Sequence, residues 1–316
     1  MTSALLERPG AVPATGLDVG VAAHYGDPYR EQRRLAEGAA LVDLSQRPVI
    51  RIGGVDRLSW LHSLTSQQLA DLPPHTWTQA LILSPQGHVE HHLHLVDDGA
   101  AVLAHVEPGS TAGLLAFLEG MRFLLRVDVA DVSDELAVVF QDGAHRLVPR
   151  MDLPTVEGEL AGLDAYEALR VARRTPRLGL DTDHRTLPQE VGWLGSAVHL
   201  DKGCYRGQES VARIYNLGRP PRRLVLLHLD GSDSELPATG DAVSLDGRVV
   251  GRVGTAVRHH ELGPIALALV KRQVADGTTL VAGQVPARVE PTPDADVPVS
   301  PARAAAAARA GLLRTR

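Results

Sequence analysis

Cysteine is nearly absent from this chain: Cys204 is the only one in 316 residues. One thiol closes no intramolecular disulfide and builds no zinc site that needs two or more cysteines. Aromatic residues are scarce as well, at 3% against a hydrophobic content of 44%, so Leu, Val, Ile and Ala must fill the core. No run of about 18 apolar residues occurs, so no spanning helix and no membrane partner are expected. The first twenty residues, with Glu7, Arg8, Pro9 and Pro13, lack the apolar stretch of a secretory signal. A cytoplasmic setting, where a lone thiol stays reduced, is the expectation. An excess of positive charge is also missing. The formal net charge is −6, and outside a basic C-terminal tail Lys and Arg are scattered, so direct nucleic-acid binding is not expected.

The length exceeds the roughly 100–200 residues of one domain, and the pattern divides into an α+β region and a β region. Residues 1–20 read as a flexible leader. A helix is predicted over 28–37, with Asp27 as N-cap, Pro28 at the first helical position and Gly38 closing it. A strand at 48–52 precedes a helix over 56–69, whose Val55, Leu58, Leu61 and Leu64 share a face. Residues 78–83 and 89–96 flank the turn Ser84-Pro85-Gln86-Gly87 and predict a hairpin. A strand at 100–106 and a helix at 110–121 complete a first α+β domain over 21–122. Strands at 124–129 and 136–140 and a helix at 164–174 place a second α+β domain over 123–219. Beyond the basic, proline-rich linker 219–223, short strands with glycine turns, including Asp246-Gly247, predict a small closed barrel over 220–291. The Pro-, Ala- and Arg-rich tail, 292–316, is expected to be mobile.

Three segments could carry chemistry. In residues 202–209 (KGCYRGQE), Lys202 and Arg206 stand two residues either side of Cys204. On an extended chain the three side chains share a face, and nearby cations favour a thiolate. The competing reading is a buried, inert cysteine. In the segment LPQEVG, Glu190 offers a carboxylate that can accept two parallel hydrogen bonds, from an Arg or from the amino-pyrimidine edge of a pterin. His88, Glu90, His92 and His94 alternate along the second hairpin strand and would fall on one face. Such spacing can seat a transition metal. No ligand from another element is visible to complete a site, so no metal is assigned.

Residues 202–209 resemble the K-G-C-[YF]-x-G-Q-E signature of the YgfZ-type folate-binding proteins, relatives of the glycine-cleavage T-protein (the aminomethyltransferase). The blocks GAALVDLS (38–45), GGVDR (53–57), LHSL (61–64), LPQE (187–190) and IALA (265–268), with Val249, Gly251, Val253 and Gly254, look like further parts of that superfamily, so the likeness runs over about 25–289. It implies an α+β fold in which two α+β domains and a small C-terminal β-barrel form a three-domain ring around a hole that holds tetrahydrofolate. It also implies a role in iron–sulfur protein assembly or repair, with effects on tRNA-modifying iron–sulfur enzymes and with iron–sulfur client proteins as partners. Cys204 and Lys202 match the signature's key residues. Glu190, Tyr205, Arg206, Gln208 and His92 are the implied folate contacts. The chain departs from T-protein where that family carries an acidic residue needed for methylene transfer; His91-His92 stands there. It departs again at Cys204, where T-protein typically has aspartate, at Gln208, where arginine is usual, and at Leu178, where a tyrosine lies near the folate site. The glycine-cleavage reaction is therefore not expected. The second reading is a folate-dependent one-carbon transferase with another donor.

Overall fold

The computed structural model describes residues 2–232 and 235–291. The expected mobile tail lies outside them. In chain order the elements are β1 (Val12–Pro13), β2 (Ala22–His24), α1 (Pro28–Ala36), β3 (Ala40–Asp43), β4 (Val49–Gly53), α2 (Arg57–Leu64), β5 (Thr78–Leu83), β6 (Val89–Asp97), β7 (Ala101–His105), α3 (Thr111–Gly120), β8 (Asp128–Asp131), β9 (Leu136–Gln141), β10 (Ala144–Pro149), β11 (Glu159–Ala161), α4 (Leu163–Ala172) and α5 (Gln208–Leu217). Six strands follow: β12 (Arg222–Leu229), β13 (Ala242–Leu245), β14 (Arg248–His259), β15 (Gly263–Lys271), β16 (Thr279–Ala282) and β17 (Val285–Val289).

The first sheet has the order β5-β6-β7-β4-β8, the second β10-β9-β3-β11. The two are interleaved along the chain. β3 precedes the first sheet in sequence yet pairs with β9 and, in parallel, with β11. β8 follows α3 and returns to pair with β4. A division at residue 122 therefore separates strands that share a sheet. Strand pattern marks segments but not partners, and sequential pairing is only the commoner outcome. The first sheet buries Ile50, Ile52, Ala80, Ile82, Leu93 and Leu95 against Trp60, Leu61, Leu114 and Leu118 of α2 and α3.

Residues 2–20, expected as a flexible leader, are packed instead. Leu5 is 1% exposed among Leu41, Ala137, Val139 and Leu153, β1 pairs with β2, and Asp18 is buried. The strand expected at 124–129 begins only at Asp128, leaving Phe123 and Leu124 exposed in the connection. The C-terminal strands close a six-stranded barrel, β12-β15-β14-β13-β16-β17, shut by the pairing of β12 with β17. Register shifts in β13 and β14 let the strands bend around the closure. α5 was not expected, although Val211, Ile214 and Tyr215 share a helical face; Gly207 marks its start in place of a side-chain cap.

Two buried arginines tie the parts together. Arg177, 2% exposed, meets Asp18 of the N-terminal segment, Glu107 beyond β7 and Glu167 of α4 at 2.6 to 3.0 Å. Arg170 of α4 meets Glu167, Asp181 at 2.7 Å and Thr255 of barrel strand β14 at 2.5 Å. Burying charge is tolerable here because every guanidinium faces carboxylates directly.

Candidate functional site

The loop 202–209 is held by two glycines that interlock. Gly207 opens α5 with φ +81°. A Cβ there would lie 2.5 Å from the Ser84 carbonyl oxygen and 3.0 Å from the Gly87 Cα. Gly87, in the β5–β6 turn at φ +82°, leaves no more room: its Cβ would meet the Ser210 Cβ at 2.8 Å. The hairpin turn and the start of α5 thus touch backbone to backbone, which only glycine allows. The contact fixes the residues before it.

Cys204 is exposed on this loop, so the inert buried cysteine is excluded. Its two neighbouring cations are committed elsewhere. Lys202 is 6% exposed, and its ammonium donates to the His62 and Thr65 carbonyls, the latter at 2.6 Å. It thereby closes the C-terminal end of α2, where a cation suits the helix dipole. Burial pushes this ammonium down to about 8. The Tyr205 ring lies 5.1 Å from it, and burial pushes the Tyr205 phenol up to about 12. Arg206 pairs with Glu90 at 2.8 Å and lies 5.5 Å from the Phe117 ring centre. Gln208 turns back to the Lys202 carbonyl at 3.4 Å. The three side chains do not line one face of an extended strand. Residues 203–205 have no regular structure, and the inward Lys202 parts from the outward thiol.

Glu190, 2% exposed, is gripped by an arginine. Arg222 donates from Nε and Nη2 at 2.9 and 2.8 Å, and the Leu187 amide donates at 3.0 Å. Of the two partners its carboxylate could have taken, the structure supplies the guanidinium. Arg222 also reaches Asp183 at 2.5 Å; burial opposes the charge on Asp183, but this contact outweighs it and holds the carboxyl at about 2. Glu190 therefore docks the loop before α5 onto β12, with both oxygens occupied.

A cavity of about 370 Å³ lies between the two sheets and α4, within the range of small-molecule sites. Trp77, Gln79, His94, Phe140, His145, Tyr166, Arg173 and Arg177 are among its lining residues. Cys204, Lys202, Glu190, Tyr205, Arg206, Gln208 and His92 are not among them. His92 is just behind the wall, 5% exposed, bonded to Gln79 at 2.9 Å, with its ring centre 4.6 Å from that of Trp193. The face expected for His88, Glu90, His92 and His94 is broken by a bulge. Leu83 pairs with Val89 and Ile82 with His91, which leaves Glu90 unpaired. Only His92 and His94 keep the inward alternation.

Two further histidines join them, and neither stood out in the sequence. His105 on β7 lies opposite His94 in register, and His145 comes from β10 of the other sheet. The His94 and His105 rings stack at 4.8 Å and 4°, and His145 meets them edge-on at 5.1 and 4.6 Å. Burial keeps all four rings neutral: His92 is pushed down to about 4, His145 to about 3, and His94 and His105 well below the ordinary imidazole value. Burial works against ionising Glu107, yet Arg47 and Arg177 outweigh it and hold the carboxyl below its usual range.

Residues 222–296 match the family model of the glycine cleavage T-protein C-terminal barrel domain. Over 309 residues the chain is 24% identical to an aminomethyltransferase of Bacillus velezensis, covering 79% of this chain and 84% of that one. Over 179 residues it is 28% identical to the mitochondrial iron–sulfur cluster assembly factor IBA57 of Mus musculus, covering 54% of this chain and 46% of the relative, so less than half of that protein is spanned. The crystal structure of the glycine cleavage system aminomethyltransferase T from Bartonella henselae superposes with a TM-score of 0.75 at 16% identity, over 92% of this chain and 95% of that one. No described helix is long and apolar enough to cross a membrane. With its two interleaved sheets and closed six-stranded barrel, the chain has the fold of the glycine cleavage T-protein.

Proposed function

We propose that this protein binds tetrahydrofolate in the cavity between its sheets and supports the assembly or repair of iron–sulfur proteins through Cys204. The observation that carries the reading is the exposed thiol on a loop locked by Gly87 and Gly207. A lone reduced cysteine held at the surface is accessible to a client protein or to a cluster in transfer. The likeness to an iron–sulfur cluster assembly factor supports that use. The cavity supports the folate part. Trp77, Phe140 and Tyr166 suit a flat heteroaromatic ring, and the exposed Arg173 at the rim suits an anionic glutamate tail.

Folate-dependent one-carbon transfer is the second reading, favoured by the match to aminomethyltransferases. Incubation with methylene-tetrahydrofolate and amine or thiol donors separates the two: turnover beyond one equivalent supports transfer. For the first reading, equilibrium dialysis should show one tetrahydrofolate bound per chain. Cys204→Ala should keep that binding and the melting temperature, while failing to restore iron–sulfur enzyme activity, including that of tRNA-modifying enzymes, in cells lacking the protein. Full restoration by Cys204→Ala would discard the thiol, and absent binding would discard the folate.

A further inference from the structure

We propose that His94, His105 and His145 form a site for a divalent transition metal, set in the wall of the cavity with an open coordination position towards it. The three rings come from three strands in two sheets, and their ligand nitrogens lie within 4.8 Å of one another. Bonds of about 2.0–2.1 Å to one ion would bring such nitrogens to about 3.3 Å, so the His94 and His105 rings, parallel to within 4°, would turn out of their stack to close on it. His105 is the strongest pointer. It is 0% exposed, and neither Nδ1 nor Nε2 has a hydrogen-bond partner among the described residues. A buried ring with two unused nitrogens carries an uncompensated desolvation cost, which a metal bond would offset. His145 has its Nε2 within 3.2 Å of the Tyr166 hydroxyl. Such a contact fixes the ring, as the outer partners of ligating histidines do.

The buried Arg47 is the charge nearest the rings, and Glu107, 3.3 Å from it, offsets it only in part; an ion there would be held by the ring nitrogens and not by surrounding charge. Nitrogen donors select zinc, iron, cobalt, nickel or copper over magnesium and calcium. His94 and His145 line the cavity and His105 sits behind them. An ion among the three would therefore present its remaining position to the cavity, where water or an anionic ligand atom could complete its shell.

The inference does not rest on the folate reading. Full-length protein is stripped with a chelator and titrated, without folate, first with Co(II) and then with Zn(II). One equivalent of Co(II) should give the visible absorption of a nitrogen-ligated ion, be displaced by Zn(II), and raise the melting temperature. His105→Gln and His145→Gln should abolish the one-equivalent phase, while His184→Gln, at an exposed site elsewhere, should keep it. Should either cavity variant fail to fold, zinc-edge X-ray absorption on the unaltered protein decides: a shell of three imidazoles is expected. No stoichiometric uptake, uptake unchanged in both folded variants, or a shell without histidine would overturn the proposal. Metal uptake without folate binding would sink only the folate reading.

Discussion

The loop around Cys204 and the cavity behind β6 and β7 distribute their polar groups in opposite ways. In the loop, Lys202 is satisfied by two carbonyls, Arg206 by Glu90, and nearby Glu190 by Arg222; the thiol stands outside these pairings and exposed. In the cavity the carboxylates and guanidiniums pair among themselves, while His105 is enclosed with both nitrogens idle. The loop is thus built as a rigid mount for one exposed thiol. The cavity is built as a charged shell around a ring cluster in which His105 has no hydrogen-bond partner among the described residues. Rigidity comes from hydrogen bonds already made, and affinity for a ligand comes from those not yet made.

The largest effect should come from the shell. Arg177→Met leaves Asp18, Glu107 and Glu167 buried without their shared cation, at a cost of about 3–5 kcal/mol. Urea denaturation measures it, and a loss under about 1 kcal/mol would show the shell to be dispensable. Next comes acid. The folded histidines titrate below their unfolded value near 6.5, so the unfolded chain binds more protons as pH falls. Their contribution is complete above about pH 6.5 and declines towards 4 for His92 and 3 for His145. For Glu167, burial opposes ionisation, but Arg170 and Arg177 prevail and hold it at about 2. Its contribution is complete above about 4.5 and is lost towards 2. Metal-free protein should therefore lose melting temperature from about pH 6.5 downward; a flat profile between 7 and 4 would contradict the neutral cluster.

The loop should respond less, and on the alkaline side. Lys202 titrates at about 8 in the fold and near 10.5 when unfolded. Its burial penalty is therefore full below pH 8 and is relieved as pH rises from there to 10.5. Lys202→Met removes that slope but leaves two carbonyls unpaired, for a net loss of about 1–3 kcal/mol. Cys204→Ala should change the melting temperature hardly at all, because the residue is exposed. If the cysteine variant proved the more destabilised of the two, the loop would not be the mount described here.

What could be read along the chain was local. The β5–β6 hairpin, the caps of α1 and the run of barrel strands each announce themselves within a dozen residues. The loop 202–209 did so by composition and by likeness. What could not be read is relational. His105 sits in an ordinary apolar strand, and only the β6–β7 register sets it against His94. His145 arrives from another sheet. The partner of Glu190 was left open between a guanidinium and a pterin, and the choice of Arg222 depends on how β12 docks, not on the spacing of either residue. Lys202, Cys204 and Arg206 share a face only on an extended strand; the chain there curls instead, and each cation meets a nearer acceptor. The N-terminal segment looked too polar and proline-rich to pack, yet Leu5 is buried and Asp18 pairs with Arg177.

The interleaving of the sheets bears on how the molecule is made. While the chain is still emerging from the ribosome, β4 lacks its outer neighbour until residue 131 has appeared. β3 must wait longer, since its parallel partner ends at residue 161. Contacts of such separation carry a loop-closure penalty before they return any stability. The nascent first half would then expose unpaired strand edges for most of its synthesis, a state prone to aggregation. Shortened versions ending near residue 122 should be found in the insoluble fraction, and demand for a chaperone would be an inherited cost of this topology.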